Sequence, residues 1–76
     1  MMSSADWDVA VERFDRMEPH MPGYPALRSA MECLEAGRYG EALALADWVL
    51  RTLPASSPDV SCAQAIKACI TGVPTM

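Results

Sequence analysis

The sequence predicts an all-α fold, a small bundle of three to four short helices around a central helical hairpin. Apolar residues recur at spacings of three and four in four stretches, and no stretch has the alternating pattern of a strand. Prolines and glycines cluster between these stretches. A chain of 76 residues is too short for more than one domain. We therefore predict a single domain over 1–76, with helices at 4–18 and 58–71, a Pro-rich connector at 19–25 and the hairpin at 25–53.

An apolar stripe predicts the first helix. Its members are Trp7, Ala10, Val11, Phe14 and Met17. Ser3 or Ser4 can cap the N-terminus of this helix, because a serine hydroxyl accepts a hydrogen bond from a free backbone N–H. Pro19 ends the helix near Glu18, since the residue before a proline disfavours helical backbone.

The connector contains three prolines, Pro19, Pro22 and Pro25. Their density excludes a helix or a strand and predicts a stiff, extended segment. The single histidine, His20, is expected to be exposed there. Tyr24 has two interpretations, because it either packs on the core or is displayed to a partner.

The hairpin begins at Pro25, which suits the first turn of a helix because its missing N–H costs nothing there. The stripe of this second helix is Leu27, Ala30, Met31 and Leu34. Gly37 can take the left-handed conformation that ends the helix. The third helix, from Gly40 to Leu53, is apolar over most of its circumference and must be covered on several sides, by its neighbours or by a partner. Its predicted intramolecular core is Ala42, Leu45, Ala46, Val49 and Leu53.

Leu43, Trp48 and Leu50 have no obvious cover in this arrangement. A tryptophan beside leucines on the flank of a helix is typical of an interface hot spot. Alternatively, the first helix lies across this flank and buries it. The residues predicted to bind a partner are Tyr39, Leu43, Trp48, Leu50 and Arg51.

The fourth helix has signals at both of its ends. Ser57 is predicted to cap it, with Pro58 at its first position. Its apolar face is Val60, Ala63, Ile66 and Ile70. Gly72 supplies the C-cap, and we expect Val73–Met76 to be frayed.

The net charge of −4 excludes direct binding of nucleic acid. Phosphate backbones are bound by Lys and Arg, and the chain has six of these against ten Asp and Glu. The acidic excess lies in the first helix, where Asp8, Glu12 and Asp15 form an acidic face. Such a face is either simply solvated or attracts a basic partner.

The sequence predicts neither a membrane segment nor a site for metal, cofactor or catalysis. No stretch approaches the ~20 apolar residues of a membrane span, and the N-terminus lacks a signal peptide, so we expect a cytoplasmic protein with reduced thiols. The possible metal ligands, His20, Cys33, Cys62 and Cys69, lack the close spacing of zinc sites. We expect the cysteines to be small buried apolar residues. Since nothing supplies an oxyanion hole or a phosphate loop, we expect no enzymatic activity.

The hairpin carries a Gly-x-Tyr turn at Gly37 and Tyr39, a small Ala30 before it, Ala42 after it and a closing Pro54. With these residues, the segment 23–56 resembles a single tetratricopeptide (TPR) repeat, a helical hairpin of about 34 residues. The resemblance implies a TPR-like hairpin and a role in binding a protein partner.

Two hypotheses for function follow. The first is a small non-enzymatic protein–protein interaction module, an adaptor, chaperone-like subunit or regulator. It would bind another protein, or a second copy in a homodimer, through the apolar face of the third helix. The alternative is an acidic inhibitor or mimic, of the kind phage-type antagonists use, that blocks a basic surface of a nucleic-acid-handling or regulatory protein.

Overall fold

The structure is a computed structural model that describes residues 4–72, and within this range the chain forms four α-helices and no strand. The helices are α1 (Ser4–Asp15), α2 (Tyr24–Glu35), α3 (Tyr39–Thr52) and α4 (Pro58–Thr71). The predicted small all-α bundle is thus confirmed. The predicted cap at Ser3 and the predicted fraying of Val73–Met76 lie outside the described residues.

The central helix of the bundle is α4, which packs against α1, α2 and α3. Its buried residues are Asp59, Val60, Cys62, Ala63, Ala65, Ile66, Ala68 and Cys69. Different sides of α4 face different neighbouring helices, because successive residues of a helix are turned by about 100°. Asp59 contacts the start of α2, Cys62 lies against α1, and Lys67 pairs with α3. The bundle is therefore organised around α4 and not around the third helix, which the sequence predicts to be covered on several sides.

The start of α4 is tied to the start of α2 through a buried carboxylate. Asp59 is only 2% exposed, and its Oδ2 accepts a hydrogen bond of 2.7 Å from the backbone N–H of Gly23. A Cβ atom at Gly23 would lie 2.6 Å from the same oxygen, so this approach requires glycine. The predicted cap of α4 is also present, because the Asp59 N–H donates to Ser57 Oγ at 3.1 Å. Gly72 closes the other end with a φ of 72°.

Two consecutive turns join α1 to α2, so the prediction of an extended connector is wrong. Met21 N–H donates to Glu18 O, and Tyr24 N–H donates to Met21 O, each at 3.0 Å. In both turns a proline, Pro19 or Pro22, holds the second position. Proline favours this position because its fixed φ matches the turn.

The helix α1 ends at Asp15, three residues before the predicted end. The chain nevertheless stays against the core, because Met17 is buried and its N–H donates to Phe14 O at 3.0 Å. The Phe14 ring stacks on Tyr24 with 5.0 Å between centroids. Of the two interpretations of Tyr24, the structure supports packing against the core.

A Schellman motif closes α2 and turns the chain into α3. Arg38 N–H donates to Cys33 O at 2.8 Å, and Gly37 N–H donates to Leu34 O at 3.1 Å. Gly37 has a φ of 78°, which confirms its predicted role as the left-handed residue after the helix. The short turn places α2 and α3 side by side as a helical hairpin.

Candidate functional site

Three residues of α3 are buried, Ala42, Ala46 and Val49. All three belong to its predicted core. The other two predicted core residues, Leu45 and Leu53, are half-buried at the edges of the packed face. The side of α3 that faces the bundle is therefore narrow and made mostly of alanine.

The other large apolar side chains of α3 lie outside this packed face or, in the case of Leu50, at its edge against the core. Trp48 is 44% exposed and Tyr39 is 43% exposed, whereas Leu43 and Leu50 are half-buried. Arg51 is exposed. The alternative that the first helix buries Trp48 is wrong, because α1 packs mainly on α4.

The five predicted binding residues occupy two sides of α3. Leu43 and Leu50, seven residues apart, are turned by only about 20° from each other, whereas Trp48 is turned by about 160° from Leu50. Tyr39 lies on the side of Leu43 and Leu50, which we call the Leu50 side. Leu45 lies about 60° from Trp48, and these two residues form the Trp48 side. The prediction that Trp48 and its neighbouring leucines share one flank of the helix is therefore wrong.

The Leu50 side borders a shallow depression between α3 and α4. Its lining residues are Ala44, Asp47, Leu50, Arg51 and Lys67. Lys67 Nζ lies 3.4 Å from Asp47 Oδ1, and Arg51 Nε donates to the backbone oxygen of Asp47 at 3.4 Å. Arg51 forms no ion pair with any residue of the described range 4–72, so its charge is available to a partner.

The Trp48 side borders a second depression, between α2 and α3. Its lining residues are Ser29, Glu32, Cys33, Ala36, Arg38, Glu41 and Leu45. Arg38 forms an ion pair with Glu41, and this hydrogen bond raises the pKa of the Arg38 guanidinium. Cys33 Sγ lies 3.8 Å from Glu41 Oε2. Leu45 is the largest apolar side chain that lines this depression.

The predicted acidic face is present on α1. Asp8, Glu12 and Asp15 are exposed, and their spacing places them on one side of the helix. Glu12 Oε1 accepts a hydrogen bond of 2.6 Å from Arg16 Nη2, so part of the negative charge of this face is balanced locally. The opposite side of α1, which includes the buried Ala10, packs on α4.

Arg13, a charged residue of the first helix, is half-buried against α4. Its Nη1 donates to Ser61 O at 2.9 Å, and the two residues are 48 positions apart in the chain. Local periodicity carries no signal for such a contact. Burial raises the pKa of the Cys62 thiol, and the nearby charge of Arg13 offsets part of that rise.

All three cysteines are buried and unpaired, as expected from the sequence. Burial raises the pKa of the Cys62 thiol to about 12 and that of Cys69 to about 11. A thiol is nucleophilic only as the thiolate, so these two side chains are inert near neutral pH. Within residues 4–72, no three side chains of His, Cys, Asp or Glu come together as a metal site.

None of the helices in the described range has the length and apolar character needed to cross a bilayer. No family model, curated protein or solved structure matches this chain. A proposal for the function therefore depends on the exposed residues of the chain itself.

Proposed function

We propose that this chain is a small non-enzymatic protein–protein interaction module whose partner binds the exposed surface of α3. One observation carries the proposal. The helix presents Trp48, Tyr39 and Leu43 outside its packed face and Leu50 at the edge of that face, with Trp48 44% exposed. Its partner is another protein or a second copy of this chain.

The composition of this surface supports the proposal. Tryptophan and arginine are the residues most often found at the centre of interfaces, because both combine a large contact area with a polar group. Arg51 lies between Trp48 and Leu50 around the helix, about 60° from one and about 100° from the other. A partner lying along the outer surface of α3 would contact all three.

The accessible surface of the folded chain is close to that expected for a monomer of its size. Its accessible surface of 4631 Å² is near the ~4,500 Å² that size scaling gives for 8.2 kDa. A TPR-like interpretation of the hairpin is compatible with this role, because members of that family bind other proteins.

Light scattering behind a sizing column tests for self-association, at two protein concentrations and two salt concentrations. If the protein is a dimer, Trp48→Glu converts it into a monomer. If it is a monomer, immobilised protein captures a partner from extracts of the source cell and the same substitution abolishes capture. In both cases we expect weak dependence on salt, because apolar contacts dominate.

Val9→Glu is the matched control, since Val9 is also a large exposed apolar residue, 39% exposed, on a different helix. We expect this variant to associate like the parent protein. Equal association of the Trp48→Glu, Val9→Glu and parent proteins would contradict the proposal.

The exposed carboxylates on α1 favour a second candidate, an acidic inhibitor or mimic that covers a basic surface. Its signature is binding that weakens steeply with added salt, because exposed charges are screened beyond ~10 Å at 0.1 M ionic strength. Replacing Asp8 and Asp15 with asparagine would then abolish binding, while Trp48→Glu would leave it intact.

A further inference from the structure

A third depression lies at the end of the bundle where α1 begins and α2 ends. Its lining residues are Trp7, Leu34, Glu35, Ala36, Gly37 and Tyr39. Leu34 is 2% exposed and forms an apolar floor, whereas Trp7 is half-buried and Tyr39 is 43% exposed. Two aromatic side chains from different helices thus border one concave surface.

The only charged side chain of this depression, Glu35, has no ion pair within residues 4–72. Arg28, on the same helix, forms its ion pair with Glu32, at 3.7 Å. Arg38, three residues beyond Glu35, pairs with Glu41. Glu35 is exposed at the depression, so its negative charge is not balanced from within the described part of the chain.

We propose that this depression binds an arginine side chain from a protein partner. A guanidinium group stacks on aromatic rings and donates two parallel hydrogen bonds to a carboxylate, and Trp7, Tyr39 and Glu35 supply both kinds of contact. The net charge of −4 favours a cationic partner segment. The apolar floor of Leu34 suits the methylene stem of the same side chain.

This inference rests on the proposed function, because it names one contact that a protein partner would make. The two surfaces share Tyr39 but are otherwise separate. They can therefore be tested independently, with a small probe here and with self-association or partner capture on α3.

The probe is the acetylated and amidated peptide Ala-Leu-Arg-Leu-Ala, with a control peptide that has citrulline in place of arginine. Citrulline keeps the shape of arginine and removes its charge. In the Trp48→Phe variant Trp7 is the only tryptophan, so its fluorescence reports directly on this depression. We expect the arginine peptide to give a saturable change in emission and to bind at least about fivefold more tightly than the citrulline peptide.

In the Trp48→Phe background, Glu35→Gln should reduce the affinity for the arginine peptide to that for the citrulline peptide. Glu32→Gln is the matched control, because Glu32 is an exposed carboxylate on the same helix that lines a different depression. This control should leave the affinity for the arginine peptide unchanged. Equal binding of the two peptides would show an apolar ligand site and overturn the proposal, as would no change in Trp7 emission at millimolar arginine peptide. Since the assay needs no natural partner, either failure leaves the α3 proposal standing.

Discussion

Helices α3 and α4 have the same length, fourteen residues, but α4 lies at the centre of the bundle and α3 at its periphery. Eight residues of α4 are buried, and only three of α3. The difference follows from position, because α4 packs against three helices and α3 packs mainly against two. Most buried residues of α4 are alanine or cysteine, and small side chains let three helices approach one axis. The larger apolar residues of α3 are only partly covered, since Trp48 is exposed and Leu43 and Leu50 are half-buried. A strongly apolar helix is therefore not necessarily the core of a small bundle.

The largest expected effect is the loss of a buried side chain from α4. Ile66 is fully buried, and Ile66→Ala should lower the free energy of unfolding by about 2–5 kcal/mol. A domain of this size has only about 3–5 kcal/mol in total, so much of the variant should be unfolded at 25 °C. Leu50→Ala on α3 should cost about 1 kcal/mol, because Leu50 is already half-exposed. Urea unfolding followed by circular dichroism measures both values, and equal losses would remove the contrast between the two helices.

A pair of glycine substitutions should have effects of opposite sign. Gly23→Ala places a Cβ 2.6 Å from Asp59 Oδ2 and should destabilise the protein by about 1–3 kcal/mol. Gly40→Ala meets no atom within 4 Å and should stabilise α3 by about 0.5 kcal/mol, because alanine has the higher helix propensity. Thermal unfolding of the two variants shows whether each substitution lowers or raises the stability of the protein. Stabilisation by Gly23→Ala would mean that α4 is not tied to α2 in this way.

Alkaline pH should destabilise the protein through the thiols of α4. The pKa of Cys62 is about 12 in the folded protein against an ordinary value of 9.0. Between these values the unfolded chain loses the thiol proton and the folded chain keeps it, so the free energy of unfolding falls as pH rises. Below pH 9 the thiol has no such effect. The decrease between pH 8 and pH 10.5, measured by urea unfolding, should be smaller in Cys62→Ala than in the parent protein, and an identical decrease would contradict burial of this thiol.

The exposed ion pair between α3 and α4 should have the smallest effect on stability. Lys67 and Asp47 are both partly solvated, and exposed pairs typically contribute ~0–1 kcal/mol. Lys67→Gln should therefore shift the urea midpoint only slightly, and less still in 0.5 M salt. A loss comparable to that of Ile66→Ala would assign the attachment of α3 to electrostatics rather than to packing of Ala42, Ala46 and Val49.

Much of the fold could be predicted because its signals are local. The caps at Ser57, Gly37 and Gly72 depend on residues a few positions apart. The contacts that arrange the helices are not local. Asp59 and Gly23 are 36 positions apart, and no spacing rule links them. The helical period indicates which side of a helix is apolar, but it does not say which neighbour covers that side.

The candidate site could be predicted in part for the same reason. Trp48 was identified as a residue without obvious cover, and its exposure depends on α1 packing mainly on α4 rather than across α3. The separation of Trp48 from Leu50 follows from the helical repeat alone and needs no knowledge of the tertiary structure. The depression between Trp7 and Tyr39 could not be predicted from the sequence, because it depends on how three helices are arranged.

The stability of the Trp48→Glu variant tests the central claim most directly. If the outer surface of α3 serves a partner rather than the fold, urea unfolding at a protein concentration where both proteins are monomeric should give a free energy within about 1 kcal/mol of the parent value, with unchanged helicity. A loss of more than about 2 kcal/mol, approaching that of Ile66→Ala, would contradict the claim and place Trp48 in the core of the folded chain.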